Sequence, residues 1–163
     1  MYAGTALWYI LNSIKVVIYI YRDGESQMIT TNGIKYIVNG SITASDVAKI
    51  FIASGIKRPS EDLDRIQRMI DHADITITAW YQEEMVGIAR AITDFSYCCY
   101  LSDLAVDKSY QKLGIGKKLI QLVKEELGDE VTLILLSAPS AMEYYPHIRL
   151  EKMDNAFGIK RKK

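Results

Sequence analysis

Apolar residues recur along the chain at two spacings, one typical of strands and one typical of helices. Residues 75–81 alternate apolar and polar positions, and residues 85–94 follow after a short turn, so together they predict a β-hairpin. Gly87, inside the second strand, predicts a bulge or a close contact at that point. Residues 33–38 predict an earlier strand, and residues 97–106 predict a later one.

Helical spacing appears in three segments. Thr43 has Asp46 three residues on and predicts a helix start, and Gly55 predicts its end. A second helix opens at residues 59–62, with acids in its first turn, and a third begins at Gly116 and stops at Gly128. The residues expected on the buried faces are Val47, Ile50, Phe51, Leu63, Ile66, Ile70, Leu119, Ile120, Val123 and Leu127.

Three shorter segments complete the predicted order of elements. Residues 131–136 form a continuous apolar run, as expected for a buried central strand. Residues 140–145 predict a short helix, and residues 153–160 predict a last strand. The pattern therefore predicts an α/β or α+β domain, with a mixed sheet of six or seven strands and helices on both faces.

The chain has 163 residues, which is the size of one domain with a substantial core. We expect that domain to span residues 28–163, with Met28 as the natural start and residues 1–27 as an upstream extension. The apolar run at residues 6–21 is interrupted by polar residues, and it is short for a membrane span. Two other interpretations of residues 1–27 stay open: a membrane-contacting segment, or an added strand or helix that covers apolar surface.

Composition narrows the possible partners and compartments. The chain carries 20 basic and 20 acidic residues, so no overall charge favours nucleic acid as a partner. Cys98 and Cys99 are adjacent and would point to opposite faces of a strand, which indicates unpaired thiols in a reducing, cytoplasmic location. His72 and His147 lack companions at ligand spacing, and we predict no metal site.

The most informative stretch leads from the strand at 97–106 into the third helix. Gly114 and Gly116 lie where the helix opens, and Lys112, Lys117 and Lys118 surround that point. The first N–H groups of a helix have no partner within the helix, and the helix dipole favours negative charge there. The stretch therefore predicts an anion site, most simply for a phosphate or pyrophosphate. The Walker and dinucleotide-binding motifs need glycines and later residues that this chain lacks.

The same stretch resembles a known motif. The strand ending Asp-Leu-Ala-Val, followed by Tyr110, Gln111, Gly114, Ile115 and Gly116, is similar to motif A of the GNAT N-acetyltransferases. The order of predicted elements also matches the GNAT layout over residues 34–160. The resemblance implies a GNAT-like, mostly antiparallel sheet flanked by helices on both faces.

The resemblance also implies acetyl-CoA as cosubstrate. Backbone groups of the strand end would pair with the pantetheine arm, and the glycine loop would hold the pyrophosphate. The residues implied are Leu104, Ala105, Val106, Gln111, Lys112, Leu113, Gly114, Ile115, Gly116 and Lys117.

Motif B of the family corresponds to residues 137–150. Tyr145 matches the tyrosine that protonates the departing thiolate in many members, with a packing aromatic as the alternative. Two positions depart from the motif. Ser137 or Ser140 would replace an asparagine that binds pantetheine, and Arg149 stands where members commonly have glycine. A non-glycine residue in a left-handed cap costs about 1 kcal/mol.

The base that takes a proton from the amine is less constrained by the pattern. Asp103 is the first candidate because it lies on the strand expected to meet the thioester, and Asp94 and Glu143 are others. An anchoring carboxylate is an equally supported interpretation of Asp103.

The leading functional prediction is an acetyl-CoA-dependent N-acetyltransferase that transfers an acetyl group to a primary amine on a small molecule or a protein. The alternative is a non-catalytic acyl-CoA-binding or regulatory module with the same fold. Membrane association is not expected, except through residues 1–27, and family members allow a homodimer.

Overall fold

The structure is a computed structural model, and it describes residues 6–11, 14–19 and 27–162. The strands are β1 (Ala6–Leu11), β2 (Ile14–Tyr19), β3 (Gln27–Thr31), β4 (Ile34–Val38), β5 (Ile75–Tyr81), β6 (Glu84–Thr93), β7 (Cys98–Val106) and β8 (Thr132–Ile134). The helices are α1 (Ala44–Ser54), α2 (Leu63–Asp71), α3 (Ile115–Leu127) and α4 (Tyr144–His147), and short 3-10 turns span Lys108–Tyr110 and Pro139–Ala141.

The described strands form one sheet, in chain order from β1 to β8. Neighbours pair antiparallel throughout, except for β7 and β8, which are parallel and joined through α3. The predicted fold class, a mixed and mostly antiparallel sheet with helices on both faces, is confirmed. Strands β3 to β8 supply six strands, and β1 and β2 add two from the predicted extension. Where the native chain begins stays a prediction.

Two apolar layers hold the sheet between the helices. One lies under α3 and includes Leu119, Leu122 and Val123 with side chains from β4 to β7. The other lies under α1 and α2 and is built around Phe51 and Ile66. Burial of these side chains on both faces fixes the register of the central strands, because a slip by one residue would move each side chain to the opposite face.

Local signals place both ends of α1 as predicted, and they place the start of α2 only approximately. Thr43 accepts a hydrogen bond from the Asp46 N–H at 3.1 Å, and Gly55 closes α1 with a φ of 77°. α2 begins one turn later than the acids at 59–62 suggested, with Asp62 as its cap. Leu63 was expected on the buried face, but its side chain is exposed because it occupies the first position of α2.

Gly87 lies at a bulge, as its sequence context predicts. The pairing of β5 with β6 shifts register between Ala79 and Trp80, and Gly87 lies opposite Ala79. A Cβ at Gly87 would lie 3.2 Å from Ile115 Cγ2 and 3.3 Å from Leu119 Cδ1. The absent side chain therefore lets the first turns of α3 lie directly on the sheet.

Two predicted strands differ from the structure. The run at 131–136 is not a buried central strand: β8 is three residues long, lies at the sheet edge and leaves Leu136 exposed. Residues 153–160 are not a strand, and the side chains of Phe157 and Ile159 lie in solvent. Apolar composition alone does not supply the pairing partner that a strand needs.

Among the helices of the described residues, none has the length and apolar composition needed to span a membrane.

We expect Gly87→Val to lower the free energy of unfolding by about 1–3 kcal/mol, because the added methyl groups overlap side chains of α3. Denaturant unfolding of the full chain measures the change. Gly158→Val is the control, since a Cβ there meets no atom within 4 Å and should leave stability unchanged. Equal stability of the two variants would contradict the close contact between β6 and α3.

Candidate functional site

The parallel strands β7 and β8 run together for only part of their length. Cys98, Cys99 and Tyr100 pair with Thr132, Leu133 and Ile134, and no β8 partner is described for the rest of β7. On its other side, β7 stays paired with β6 up to Val106. The segment 104–106 therefore has one edge in the sheet and one edge facing the opening between β7 and β8. Extended backbone at such an edge can accept another extended chain as an added strand.

The glycine loop follows directly from that edge. Gly114 precedes α3 with a φ of 82°, a left-handed conformation that suits glycine, and no side chain caps the helix. The hydrogen bond that closes the first turn of α3 runs from the Lys118 N–H to the Gly114 carbonyl, at 3.0 Å. The first N–H groups of α3 are thus available to an anion, with Lys112 and Lys117 exposed nearby. Leu113 is also exposed, whereas Ile115 is buried in the core.

The turn between β7 and the loop is held by short-range hydrogen bonds. The Asp107 N–H donates to the Val86 carbonyl at 3.0 Å, and the Asp107 carboxylate accepts from the Ser109 N–H at 2.7 Å. The Gln111 side chain donates to the Val106 carbonyl at 3.0 Å. Gln111 therefore ties the loop back to the end of β7, which explains the need for an amide at this position.

Helix α4 faces the start of α3 across the opening. A Cβ at Gly116 would lie 2.7 Å from the Tyr144 hydroxyl and 3.7 Å from Val106 Cγ2, so Tyr144 reaches the first turn of α3 beside the end of β7. Tyr145 is half-buried against the α3-side core and contacts the Tyr144 ring edge-on, with ring centroids 5.4 Å apart. Burial raises the pKa of both phenols, which keeps them protonated well above neutral pH.

The end of α4 has a well-defined cap with an unusual residue. The Leu150 N–H donates to the Tyr145 carbonyl at 3.0 Å, and the Arg149 N–H donates to the Pro146 carbonyl at 3.0 Å. This pair of bonds defines a Schellman cap, in which the residue after the helix is left-handed and usually glycine. Arg149 takes that conformation, with a φ of 69°. The arginine that replaces the family's glycine is therefore held in a strained backbone conformation.

Asp103 lies in surroundings that favour anchoring over proton transfer. Its side chain is fully buried, and one carboxylate oxygen accepts a hydrogen bond from Arg58 Nε, while the other accepts from Arg90 Nε at 2.6 Å. Both oxygens are thus engaged by guanidinium groups. Neither arginine was identified from the sequence, because an isolated arginine carries no local signal of a partner far along the chain.

The other candidate bases do not line the opening as a group. Asp94 lies beyond the opposite end of β7, in the turn before Cys98. There, N–H groups of Tyr97, Ser96 and Cys98 donate to its carboxylate and lower the pKa of Asp94 to about 2. Glu143 is exposed just before α4.

The two serines lie after β8, on the side of the opening opposite β7. Ser137 donates its hydroxyl hydrogen to the Ala138 carbonyl at 2.8 Å, and Ser140 is exposed in the 3-10 turn that leads to α4. The structure thus gathers one strand edge, one helix start and the Tyr144 hydroxyl around the opening, with Tyr145 packed behind Tyr144 against the core.

The model of the acetyltransferase (GNAT) family matches residues 45–147, which begin one residue into α1, extend through α4 and include the whole opening. The chain belongs to the GNAT acetyltransferase family.

One curated relative and two solved structures show what the chain is similar to in sequence and in fold. An uncharacterized N-acetyltransferase, ycf52, of Gracilaria tenuistipitata var. liui is 23% identical over 141 residues, covering 82% of this chain and 74% of that protein. A putative acetyltransferase from Deinococcus radiodurans shares the fold, with a TM-score of 0.66 and 21% identity over 80% of this chain and 90% of that one. The aminoglycoside N-acetyltransferase AAC(6')-Iy, solved in complex with CoA, has a TM-score of 0.59 and 15% identity over 88% of this chain and 99% of that one.

We expect Arg149→Gly to raise the free energy of unfolding by about 1 kcal/mol, because glycine removes the Cβ strain of the left-handed cap. Thermal and denaturant unfolding of the full chain measure the gain. Arg161→Gly serves as the control, since it removes the same side chain from an exposed coil segment and should not stabilise. A loss of stability in Arg149→Gly would show that the guanidinium has a role outweighing the backbone strain.

Proposed function

We propose that this GNAT protein transfers an acetyl group from acetyl-CoA to a primary amine by direct attack of the amine on the thioester. The observation that carries the proposal is the opening between β7 and β8, which joins an unpaired strand edge to an uncapped helix start. A thioester with a diphosphate at the far end of an extended arm has the shape and charge for both features. The CoA complex of the structurally similar AAC(6')-Iy supports the choice of coenzyme.

In this proposal, the coenzyme lies along β7 and ends at α3. Backbone groups of Leu104, Ala105 and Val106 pair with the pantetheine arm, as in the addition of a strand to a sheet. The pyrophosphate contacts the N–H groups at the start of α3, with Lys112 and Lys117 adding positive charge. Ser137 and Ser140 lie on the opposite wall and supply hydroxyl groups for the amides of the arm.

The chemical step requires a polarised carbonyl and a protonated leaving group. A backbone N–H at the β7 edge donates to the thioester oxygen and stabilises the negative charge that develops there. The Tyr145 hydroxyl donates a proton to the departing thiolate, and the phenolate that results takes a proton back from water. Burial raises the pKa of Tyr145, so this phenol stays protonated at neutral pH between turnovers. The new N–C bond forms as the C–S bond breaks, and the products are an acetamide and free CoA.

In this proposal, Asp103 is not the base that takes a proton from the amine. A carboxylate with both oxygens bonded to guanidinium groups and no exposed surface has no route to a substrate amine. We propose instead that solvent water in the opening takes this proton.

Acetyl-CoA at one hundred times its dissociation constant should stabilise the protein by about 2.7 kcal/mol, which raises Tm by roughly 5–10 °C. Gly114→Val should abolish this rise, because it distorts the left-handed residue that opens α3. Gly33→Val is a matched control: Gly33 also has a positive φ, of 77°, and open space at its Cβ, but lies in the β3–β4 turn. Coenzyme stabilisation that survives in Gly114→Val would place the coenzyme elsewhere.

Tyr145→Phe should lower kcat by about a hundredfold or more, with little change in acetyl-CoA affinity, because it removes only the proton donor. Release of free thiol with a panel of primary amines measures turnover, and calorimetry measures affinity. Tyr144→Phe removes the neighbouring hydroxyl, which contacts the start of α3, and should affect affinity more than kcat.

Two results would change the proposal. If Tyr144→Phe loses turnover and Tyr145→Phe keeps it, the proton donor is Tyr144. If the protein binds acetyl-CoA but releases no thiol with any amine, the non-catalytic acyl-CoA-binding module becomes the better description.

A further inference from the structure

The opening between β7 and β8 begins at a bulge in β7. Arg90 pairs with Asp103 and Ala91 pairs with Leu101, so Ser102 is an extra residue in β7 without its own partner in β6. Pairing with β8 ends at Tyr100, just before the bulge. A bulge of this kind bends its strand and increases its twist.

The extra residue also reverses the facing of the side chains. Before the bulge, Cys99 and Leu101 contribute to the core under α3; after it, Leu104 and Val106 pack against that same core. Ala105 instead joins the core under α1 and α2. The bulge therefore shifts the alternation of side chains along β7 by one residue. This shift also determines which backbone N–H and C=O groups of segment 104–106 lie at the open edge.

Two arginines hold the bulge by its backbone and its side chains. Arg58, from the loop between α1 and α2, donates to the Ser102 carbonyl at 2.7 Å and to the Asp103 carboxylate. Arg90, from β6, donates to the Ser102 hydroxyl at 2.9 Å and to the Asp103 carboxylate at 2.6 Å. Arg90 also reaches the Met69 carbonyl in α2, at 3.1 Å. Both residues of the bulge are thus tied to α2 or to the loop before it.

The three charged side chains of this cluster differ in how much of their surface is exposed to water. The Arg90 side chain is 6% exposed and Asp103 is 0% exposed, so this pair is an interior ion pair. Arg58 is 23% exposed and enters from the surface. Removing Asp103 would leave Arg90 buried without its ion-pair partner, and removing Arg90 would leave one buried Asp103 oxygen without its donor. Arg58 is more exposed and can be altered with less damage to the core.

The loop that carries Arg58 makes a second contact, with the turn that follows β7. A Cβ at Gly55 would lie 3.1 Å from Lys108 Cε, so the Lys108 side chain lies directly against that glycine. Lys108 is in the turn that leads from β7 to the glycine loop. Residues 55–58 therefore contact the bulge of β7 and the turn just beyond its end, on either side of the segment 104–106.

We propose that Arg58, Asp103 and Arg90 form a clamp that positions the β7 bulge and thereby the open edge at residues 104–106 for the coenzyme. The clamp assigns Asp103 a positioning role and gives Arg58 a role in coenzyme binding without contact to the coenzyme. As a statement about coenzyme binding, this inference rests on the proposed function.

The test compares Arg58→Lys with Arg68→Lys in the full chain. Lysine keeps the charge but lacks the planar fork that reaches Asp103 and the Ser102 carbonyl together. Arg68 is exposed on α2, and the structure describes no hydrogen bond or ion pair of its side chain, so its change is the matched control. Amide hydrogen exchange of the free protein and calorimetric titration with acetyl-CoA are measured well below the unfolding temperatures.

In Arg58→Lys, amides of residues 101–106 should exchange about tenfold faster, while β5 exchange is unchanged. The dissociation constant for acetyl-CoA should rise about tenfold, equivalent to the loss of one hydrogen bond to a charged group. Arg68→Lys should change neither quantity.

The outcomes separate this proposal from the function on which it rests. Unchanged exchange in Arg58→Lys would overturn the clamp whatever the protein binds. Faster exchange with unchanged coenzyme affinity would reduce the clamp to a structural ion-pair cluster and overturn its positioning role. If the unaltered protein does not bind acetyl-CoA, the proposed function fails, and the exchange data still report whether the clamp holds the bulge.

Discussion

The parallel pairing of β7 with β8 is the constraint on which the candidate site depends. Parallel neighbours need a crossover, and here α3 supplies it, so α3 must begin close to the end of β7. The same geometry brings the start of α3, which has no side-chain cap, next to the part of the β7 edge that is no longer paired with β8. The proposed anion site and the proposed binding edge thus arise from one topological feature, and the glycine loop connects them.

Buried charged side chains hold the β7 bulge in one conformation. A bulged strand has alternative conformations of similar energy unless its backbone groups are bonded in one way. The Ser102 carbonyl and hydroxyl and both Asp103 oxygens each accept from a guanidinium group, which leaves the bulge one well-satisfied arrangement. Desolvation offsets much of the attraction within the interior ion pair, so the pair itself adds little to net stability.

Sequence patterns predicted the parts of the fold that depend on neighbours along the chain. The cap at Thr43, the end of α1 at Gly55 and the bulge near Gly87 are confirmed, since each follows from local hydrogen bonding or a missing side chain. Predictions failed where a distant partner decides the outcome. Residues 153–160 have strand-like composition but no strand beside them, and β8 shortens at an edge where one neighbour is missing.

The sequence by itself determined the glycine loop, the position of the tyrosine pair and the strained cap at Arg149, because backbone conformation restricts which residues such places accept. Only the tertiary structure decided the surroundings of Asp103. Its partner Arg58 lies 45 residues away in the chain, and the ion pair exists because α1, α2 and the sheet pack together. Charge pairing across such a distance leaves no periodic or local trace, so a carboxylate that anchors a strand and one that accepts a proton look alike in the sequence.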